Sequence, residues 1–260
     1  MKQKPKLGQN FLVDPVACST IVDALGDISN QTIVEIGPGA GAITRVLAHR
    51  ARQLIAIELD RTLAAHLREQ LPAIEVLQAD ILVTDLTALR TGDEKLRVVG
   101  NLPYYITSPI LMHLFEHIDA IATAVVMMRR EVADRVIAQP GSSNYGLLSA
   151  TVQLYARVER ILELPPQAFM PPPEVHSTVL RLAMQPRFTE LGIAANTFLP
   201  FLKQCFAQKR KTLGKNLRAA GFSANGVISA LDQAGIPPTA RAEEIDLPRM
   251  AALWKHLARE

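Results

Sequence analysis

The chain has 260 residues, of which 48% are hydrophobic and 20% charged, a composition typical of a globular protein with a sizeable core. It has no apolar run of about 18 residues and no apolar segment near its N-terminus, so we expect neither a transmembrane helix nor a secretory signal. Cys18 and Cys205 lie far apart and outside any metal-binding spacing. We therefore expect no disulfide framework, no metal site and a reducing, cytoplasmic environment.

Positive charge is concentrated in the last quarter of the chain. Residues 1–186 hold 17 Lys and Arg against 19 Asp and Glu, whereas residues 187–260 hold 11 against 6. The segment from Lys203 to Arg218 has six cationic residues and no acidic one. This pattern suits contact with a phosphate backbone, and taken alone it fits a solvated helix face equally well.

Short apolar runs alternate with longer amphipathic ones through the first two thirds. This βαβα order is typical of a parallel sheet with helices on both faces. Two segments of period two, on either side of a proline-rich stretch, predict an antiparallel pair at one edge of the sheet. The pattern predicts strands over 32–36, 54–58, 74–78, 97–100 and 123–128, helices over 43–50, 61–70 and 110–117, and the edge pair over 156–164 and 177–184.

The pattern becomes helical beyond residue 186. Helices are predicted over 196–220, 223–234 and 248–260, and glycine ends the first two, which is a usual stop signal. We therefore predict two domains, residues 1–186 and a small, basic, helical domain over residues 187–260.

An acidic residue lies near the end of each of the first three predicted strands. Glu35 precedes the glycine loop Gly37-Pro38-Gly39-Ala40-Gly41, and Glu58 and Asp80 end the next two strands. Ligands of open parallel sheets bind outside the carboxyl ends of the strands, and glycines allow a ligand to approach the backbone closely. A glycine loop alone also fits a dinucleotide-binding protein, but an acid beside it would repel a pyrophosphate and suits a cationic ligand.

The two later acids complete the outline of one ligand. Glu58 lies about twenty residues beyond the loop, where an acid can hold ribose hydroxyls. Asp80 can accept a hydrogen bond from an adenine amine. With Gly37 and Gly39 at the amino-acid end, the set predicts S-adenosylmethionine as co-substrate.

A second loop, Asn101-Leu102-Pro103-Tyr104, follows the fourth strand. The lone pair of an adenine N6 amine is delocalised into the ring, so the amine is a poor nucleophile. The side-chain oxygen of Asn101 and the backbone carbonyl of Leu102 can hold its two hydrogens and turn the lone pair towards a methyl donor. Pro103 stiffens the loop, and Tyr104 offers a face on which a base can stack.

Several segments together resemble the ribosomal RNA adenine N6,N6-dimethyltransferase family, in its bacterial small-subunit branch. The match runs in family order over most of the chain. The matching segments are Gly8-Gln9-Asn10-Phe11-Leu12, Val34-Glu35-Ile36-Gly37-Pro38-Gly39, Ile57-Glu58-Leu59-Asp60, Asn101-Leu102-Pro103-Tyr104, Phe169-Met170-Pro171-Pro172-Pro173 and Lys209-Arg210-Lys211-Thr212-Leu213.

This resemblance implies a class I methyltransferase fold, Rossmann-like, with a mostly parallel seven-stranded sheet, an antiparallel edge hairpin and a small helical C-terminal domain. It implies that Asn10 and Leu12 fold over the cofactor and contact it, as do Gly37, Glu58, Asp80 and Asn101. From the residues alone, the segment with Asn10 and Leu12 is a helix entry capped by Asp14. The resemblance makes Phe169 a second aromatic wall for the target base. The residues that it implies for RNA contact are Lys209, Arg210, Lys211 and Lys215.

The implied substrate is a pair of adjacent adenosines in the hairpin loop near the 3′ end of small-subunit RNA, each dimethylated within an immature small subunit by a monomeric enzyme. The sequence departs from many relatives at Tyr105, where they carry Asn, and at His176, where Asp is common. Three alternatives remain open: a large-subunit RNA methyltransferase of the macrolide-resistance type, a non-catalytic ribosome-assembly factor, and a dinucleotide-dependent oxidoreductase.

Overall fold

The computed structural model describes residues 10–258, which form two compact units. Within these residues, the first unit covers residues 10–133 with Arg157–Met184, and the second covers Asp134–Ala156 with residues 185–258. Gly8 and Gln9 of the N-terminal motif, and the basic residues before them, lie outside the described residues. The sequence predicts a single division after residue 186, whereas the second unit also takes in residues 134–156.

The strands and helices are numbered here in chain order. They are β1 Phe11–Leu12, α1 Pro15–Asp23, β2 Thr32–Ile36, α2 Ala42–Ala48, β3 Gln53–Glu58, α3 Arg61–Gln70, β4 Glu75–Gln78, β5 Leu96–Asn101, α4 Thr107–Glu116, β6 Ile121–Arg129, α5 Arg130–Ile137, α6 Leu147–Tyr155, β7 Ala156–Leu164, β8 Phe169–Met170, β9 Ser177–Met184, α7 Phe188–Leu191, α8 Ala195–Cys205, α9 Leu213–Ala219, α10 Ala224–Gln233 and α11 Leu247–Leu257.

Seven strands form one sheet in the order β4-β3-β2-β5-β6-β9-β7. The first five are parallel, and β9 is antiparallel to β6. This confirms the predicted mostly parallel, seven-stranded sheet with an antiparallel edge. From β2 the chain goes outward through β3 and β4, then returns to β5 on the other side. The topological switch point, where open α/β sheets bind ligands, therefore lies between β2 and β5.

Burial explains why the central strands are continuous apolar runs. All five residues of β2 are buried, as expected for a parallel strand that is covered on both faces. Helix α1 begins where the Asp14 carboxylate accepts hydrogen bonds from two backbone N–H groups and Pro15 occupies the first helical position. The predicted Asp14 cap is thus confirmed, although residues 11–12 before it form a strand.

The second unit consists of helices around its own apolar core, which includes Tyr145, Phe198, Phe201 and Leu253. The single helix predicted over 196–220 is wrong, because α8 ends at Cys205 and α9 begins at Leu213. The Thr212 hydroxyl caps α9 by accepting from a backbone N–H. No helix within residues 10–258 is long and apolar enough to cross a membrane.

Candidate active site

A cavity of about 420 Å³ opens at the carboxyl ends of the parallel strands of the first unit. It reaches from the glycine loop after β2 to the segment after β5, and therefore covers the topological switch point. The predicted site residues that line it are Asn10, Leu12, Gly37, Gly39, Glu58, Asp80, Asn101, Leu102, Pro103 and Tyr104. The fold thus brings together segments that lie far apart in the sequence, from Asn10 to Tyr104.

The glycine loop owes its shape to backbone conformations that L side chains rarely adopt. Gly37 has φ +64° and Gly39 has φ +57°, both in the left-handed region where a Cβ is disfavoured. A Cβ on Gly39 would lie 3.0 Å from the ring of Phe11. The N-terminal strand β1, paired with β8, therefore packs directly on the loop and brings Asn10 and Leu12 to the cavity.

Glu58 ties the end of β3 to the glycine loop. Its side chain is 3% exposed, and its carboxylate accepts hydrogen bonds from the backbone N–H of Gly39 at 3.0 Å and of Asp60 at 2.9 Å. Each carboxylate oxygen can accept more than one hydrogen bond. Glu58 is thus fixed in place and keeps acceptor capacity for the ribose hydroxyls assigned to it.

Glu35 lies in the cavity wall with an unsatisfied oxygen. The side chain is 2% exposed and Oε2 has no hydrogen-bond partner within the described residues. Burial raises the pKa of Glu35 to about 8; a hydrogen bond from Thr44 opposes this rise, and the negative charge of Glu58 adds to it. A donor or a cation at the unsatisfied oxygen would stabilise the charged form of this buried acid, and S-adenosylmethionine carries two cationic groups, an ammonium and a sulfonium. The residues present therefore fit this co-substrate.

Asp80 is held by a relay of hydrogen bonds that the sequence pattern did not reveal. Its Oδ1 accepts from the backbone N–H of Leu82 at 2.9 Å. The Thr84 hydroxyl donates to the carbonyl of Asp80 at 2.8 Å, and Nε2 of His113 lies 2.9 Å from the carbonyl of Thr84. Helix α4 thus fixes the segment that carries Asp80, through two side chains without a recognisable motif.

The Asn101 side chain is oriented by one hydrogen bond. Its Nδ2 amide group donates to the backbone carbonyl of Asn10 at 3.2 Å. A carbonyl can pair only with the NH₂ side of the amide, so Oδ1 remains available as an acceptor. The backbone N–H of Leu102 donates to Met127, and no donor among residues 10–258 satisfies the carbonyl of Leu102. The loop thus offers two acceptors beside the cavity.

Tyr104 is fixed at its hydroxyl. The phenolic oxygen lies 2.8 Å from Oγ of Ser177, which is fully buried at the start of β9. The guanidinium carbon of Arg129 lies 4.7 Å from the centroid of the Tyr104 ring. Arg129 and the neighbouring Tyr105 also line the cavity, and neither belongs to the set predicted from the sequence.

Phe169 is not part of the cavity lining. It is 2% exposed and packs in the apolar core of the first unit with Leu12, its register partner in the β1–β8 pair. The structure therefore places Phe169 as a core residue and does not bring it to the position predicted for a second aromatic wall. Besides Tyr104, the aromatic residues that line the cavity are Phe11 and Tyr105, of which Tyr105 is 64% exposed.

The basic residues predicted for RNA contact lie in the second unit, and all four are exposed: Lys209, Arg210, Lys211 and Lys215. The first three belong to the turn between α8 and α9. The amide of the buried Asn216 holds this turn from beneath by donating to the carbonyls of Cys205 at 2.7 Å and Gln208 at 3.3 Å. The basic turn is thus anchored on the helical core.

Comparisons with known proteins agree with this site. The family model for ribosomal RNA adenine dimethylase matches residues 1–258. A ribosomal RNA small subunit methyltransferase A from Acidobacterium capsulatum is 59% identical over 98% of this chain and 92% of its own length. A protein of the same name from Koribacter versatilis is 50% identical over 98% and 94%.

Two solved structures share the fold over nearly the whole chain. A dimethyladenosine transferase from Plasmodium falciparum has a TM-score of 0.81 at 23% identity, with coverage of 96% of this chain and 98% of that one. The 23S rRNA methyltransferase ErmE has a TM-score of 0.72 at 27% identity, with 96% and 100% covered. The fold is that of the class I methyltransferases. The chain therefore belongs to the ribosomal RNA adenine dimethylase family and is an S-adenosylmethionine-dependent ribosomal RNA adenine methyltransferase.

Proposed function

We propose that the protein dimethylates N6 of two adjacent adenosines in the hairpin loop near the 3′ end of small-subunit ribosomal RNA. The observation that carries this proposal is the anchored amide of Asn101. The Nδ2 of Asn101 donates a hydrogen bond to the carbonyl of Asn10, so the Oδ1 of Asn101 is available to a donor on the substrate. Relatives 59% and 50% identical over almost the full length bear the name of a small-subunit enzyme, which favours this substrate over large-subunit RNA.

The loop after β5 acts by orienting the amine. The oxygen of Asn101 and the carbonyl of Leu102 accept the two N6 hydrogens, which directs the nitrogen lone pair out of conjugation with the ring. Tyr104, fixed by Ser177, stacks on the base and stops its rotation. Positioning of this kind supplies much of the rate of a bimolecular transfer. Loop adenosines suit such a site because unpaired bases are cheaper to flip out of the stack.

The wall opposite this loop holds the co-substrate, which supplies an electrophilic methyl group on a sulfonium. Glu58 accepts from the ribose hydroxyls, and Asp80 from the adenine amine. The backbone of Gly37 and Gly39 borders the amino-acid end, with Asn10 and Leu12 above it. As the N6–carbon bond forms and the sulfur–carbon bond breaks, the nitrogen becomes cationic and its proton leaves to water, so the site requires no strong base. In a second transfer the monomethylated amine has one hydrogen left, which one of the two acceptors holds while the nitrogen takes a methyl group from a second co-substrate molecule.

The helical unit supplies the docking surface in this proposal. The anchored basic turn and Lys215 offer exposed cations for the RNA backbone of an immature small subunit. We infer that the protein works as a monomer in the cytoplasm, where such particles are assembled. A role as an assembly checkpoint is compatible with this activity.

Labelled S-adenosylmethionine tests the substrate directly. Purified protein is incubated with under-methylated small subunits and, separately, with large subunits, and the label is mapped by nucleotide. We expect two labelled adenosines in the 3′-terminal hairpin loop of small-subunit RNA and none in large subunits. Label confined to large-subunit RNA would overturn the substrate assignment.

Asn101→Ala tests the mechanism. Loss of one pre-positioned hydrogen-bond partner at the reacting group lowers kcat by roughly 100-fold or more, whereas particle binding stays nearly unchanged. Asn196→Ala, at an exposed position of α8, is the matched control and retains full activity. Single-turnover methylation and particle sedimentation measure the two properties. Full activity of Asn101→Ala would show that the Asn101 side chain does not position the N6 amine.

A further inference from the structure

Arg129 lies at the cavity beside the ring of Tyr104. It is the last residue of β6, is exposed, and lines the same cavity as Asn101 and Tyr104. Its guanidinium carbon lies 4.7 Å from the centroid of the Tyr104 ring. The side chain therefore stands beside the residue on which the target base stacks in the proposed function.

The charge of Arg129 has no acidic partner. Among the described residues that line the cavity it is the one cationic side chain, and the acids there are Glu35, Glu58 and Asp80. No hydrogen bond or ion pair joins its guanidinium to another residue within 10–258. The cation–π contact with Tyr104 is worth only about 0.5–1 kcal/mol at an exposed site. The guanidinium can thus leave the ring at little cost for a stronger, anionic ligand.

The target nucleotide brings such an anion to this position. A flipped adenosine carries its phosphate a few ångströms from its base, and the Tyr104 ring that receives the base is fixed by Ser177. Arginine forms bidentate, charge-assisted hydrogen bonds to phosphate. We propose that Arg129 is a substrate-positioning residue that binds a backbone phosphate of the flipped adenosine and so holds its base on Tyr104.

This inference rests on the proposed function, because it names a further RNA contact of the same site. The carboxylate of the co-substrate is the other anion within reach of the cavity. The phosphate is favoured because Arg129 is exposed and contacts Tyr104, on the side of the loop that holds the base. The glycine loop, which borders the amino-acid end, lies at the end of β2, and β5 separates β2 from β6 in the sheet.

Arg129→Gln removes the charge and Arg129→Lys keeps it without the planar fork. The matched control is Arg130→Gln, which alters the next exposed arginine, a residue that does not line the cavity. Three properties are measured for each protein: kcat/KM on under-methylated small subunits, the affinity for S-adenosylhomocysteine by calorimetry, and the salt dependence of binding to a hairpin RNA with unpaired loop adenosines.

We expect Arg129→Gln to lower kcat/KM about tenfold and to reduce the slope of log affinity against log salt by about one. Arg129→Lys retains an intermediate rate and the full slope. Affinity for S-adenosylhomocysteine stays within twofold in all variants, and Arg130→Gln behaves like the parent protein in kcat/KM.

Three results would each overturn the assignment: an unchanged salt slope in Arg129→Gln, a loss of S-adenosylhomocysteine affinity that matches the loss of rate, or an equal loss of rate in Arg130→Gln. Failure of the proposed function is distinguishable, because then the parent protein itself leaves small-subunit RNA unmethylated. The RNA-binding slope still decides the role of Arg129 in that case, since it does not depend on turnover.

Discussion

Replacement of Glu35 by Gln should reduce the loss of stability that the cofactor-free protein undergoes between neutral and alkaline pH. Burial raises the pKa of Glu35 from 4.5 to about 8, so between these values the folded protein binds a proton that the unfolded chain releases. Stability therefore falls as pH rises through this window. For Glu35 alone, the loss between pH 6 and pH 8 is about 2 kcal/mol. Glu35→Gln does not titrate and lacks this loss.

Denaturant unfolding of both proteins at pH 6, 7 and 8 measures the effect. The quantity of interest is the change with pH of the difference in unfolding free energy, because the constant cost of burying a glutamine amide then cancels. Glu75→Gln, at an exposed position of β4, is the control and should follow the parent protein. Parallel pH dependence of the parent protein and Glu35→Gln would refute the argument.

The same substitution should weaken binding of the co-substrate. A cationic ligand beside Glu35 favours its charged form, so binding releases a proton below pH 8. Affinity of the parent protein for S-adenosylmethionine then rises from pH 6 to pH 8, and the affinity of Glu35→Gln does not. Calorimetry in buffers of different ionisation enthalpy detects the released proton. Absence of proton release at pH 7 would show that Glu35 does not interact with the bound ligand.

Three further substitutions test how the site and the basic turn are held. Gly39→Ala should weaken S-adenosylhomocysteine binding at least about tenfold, because φ +57° and the Phe11 ring at 3.0 Å oppose a Cβ; unchanged affinity by calorimetry would contradict this. His113→Ala should cost about 1–3 kcal/mol by leaving the carbonyl of Thr84 without its partner and should speed amide exchange over 81–84; unchanged protection there would count against the relay. Asn216→Ala should cost about 2 kcal/mol and loosen residues 206–212 in hydrogen exchange, with cofactor affinity unaltered; intact protection of that turn would disprove its anchoring.

Local patterns were sufficient to predict which acids and glycines meet at one edge of the sheet. Hydrophobic periodicity and apolar runs locate the parallel strands in the sequence. In a parallel sheet the carboxyl ends of these strands all lie at one edge. The positions of Gly37, Glu58, Asp80 and Asn101 at that edge therefore follow from the sequence alone. Their distances and hydrogen bonds, such as that between Glu58 and the Gly39 N–H, required the structure.

Features that depend on contacts between distant segments were not predictable in this way. Phe169 is buried because β8 pairs with β1, more than 150 residues earlier in the chain. The break in the helix predicted over 196–220 is stabilised by a buried amide, that of Asn216, which donates to the carbonyls of Cys205 and Gln208. Neither pairing leaves a periodic signal in its own segment.

The sequence by itself determined the order of the strands along the chain, the acids and glycines at their ends, and the concentration of positive charge in the last quarter, because each depends only on neighbouring residues. Only the tertiary structure decided that Arg129 stands over Tyr104, that His113 supports the segment of Asp80, and that Glu35 is buried with one unsatisfied oxygen among the described residues. These facts depend on which surfaces meet when elements far apart in the chain pack together, and a side chain's environment is set by those surfaces.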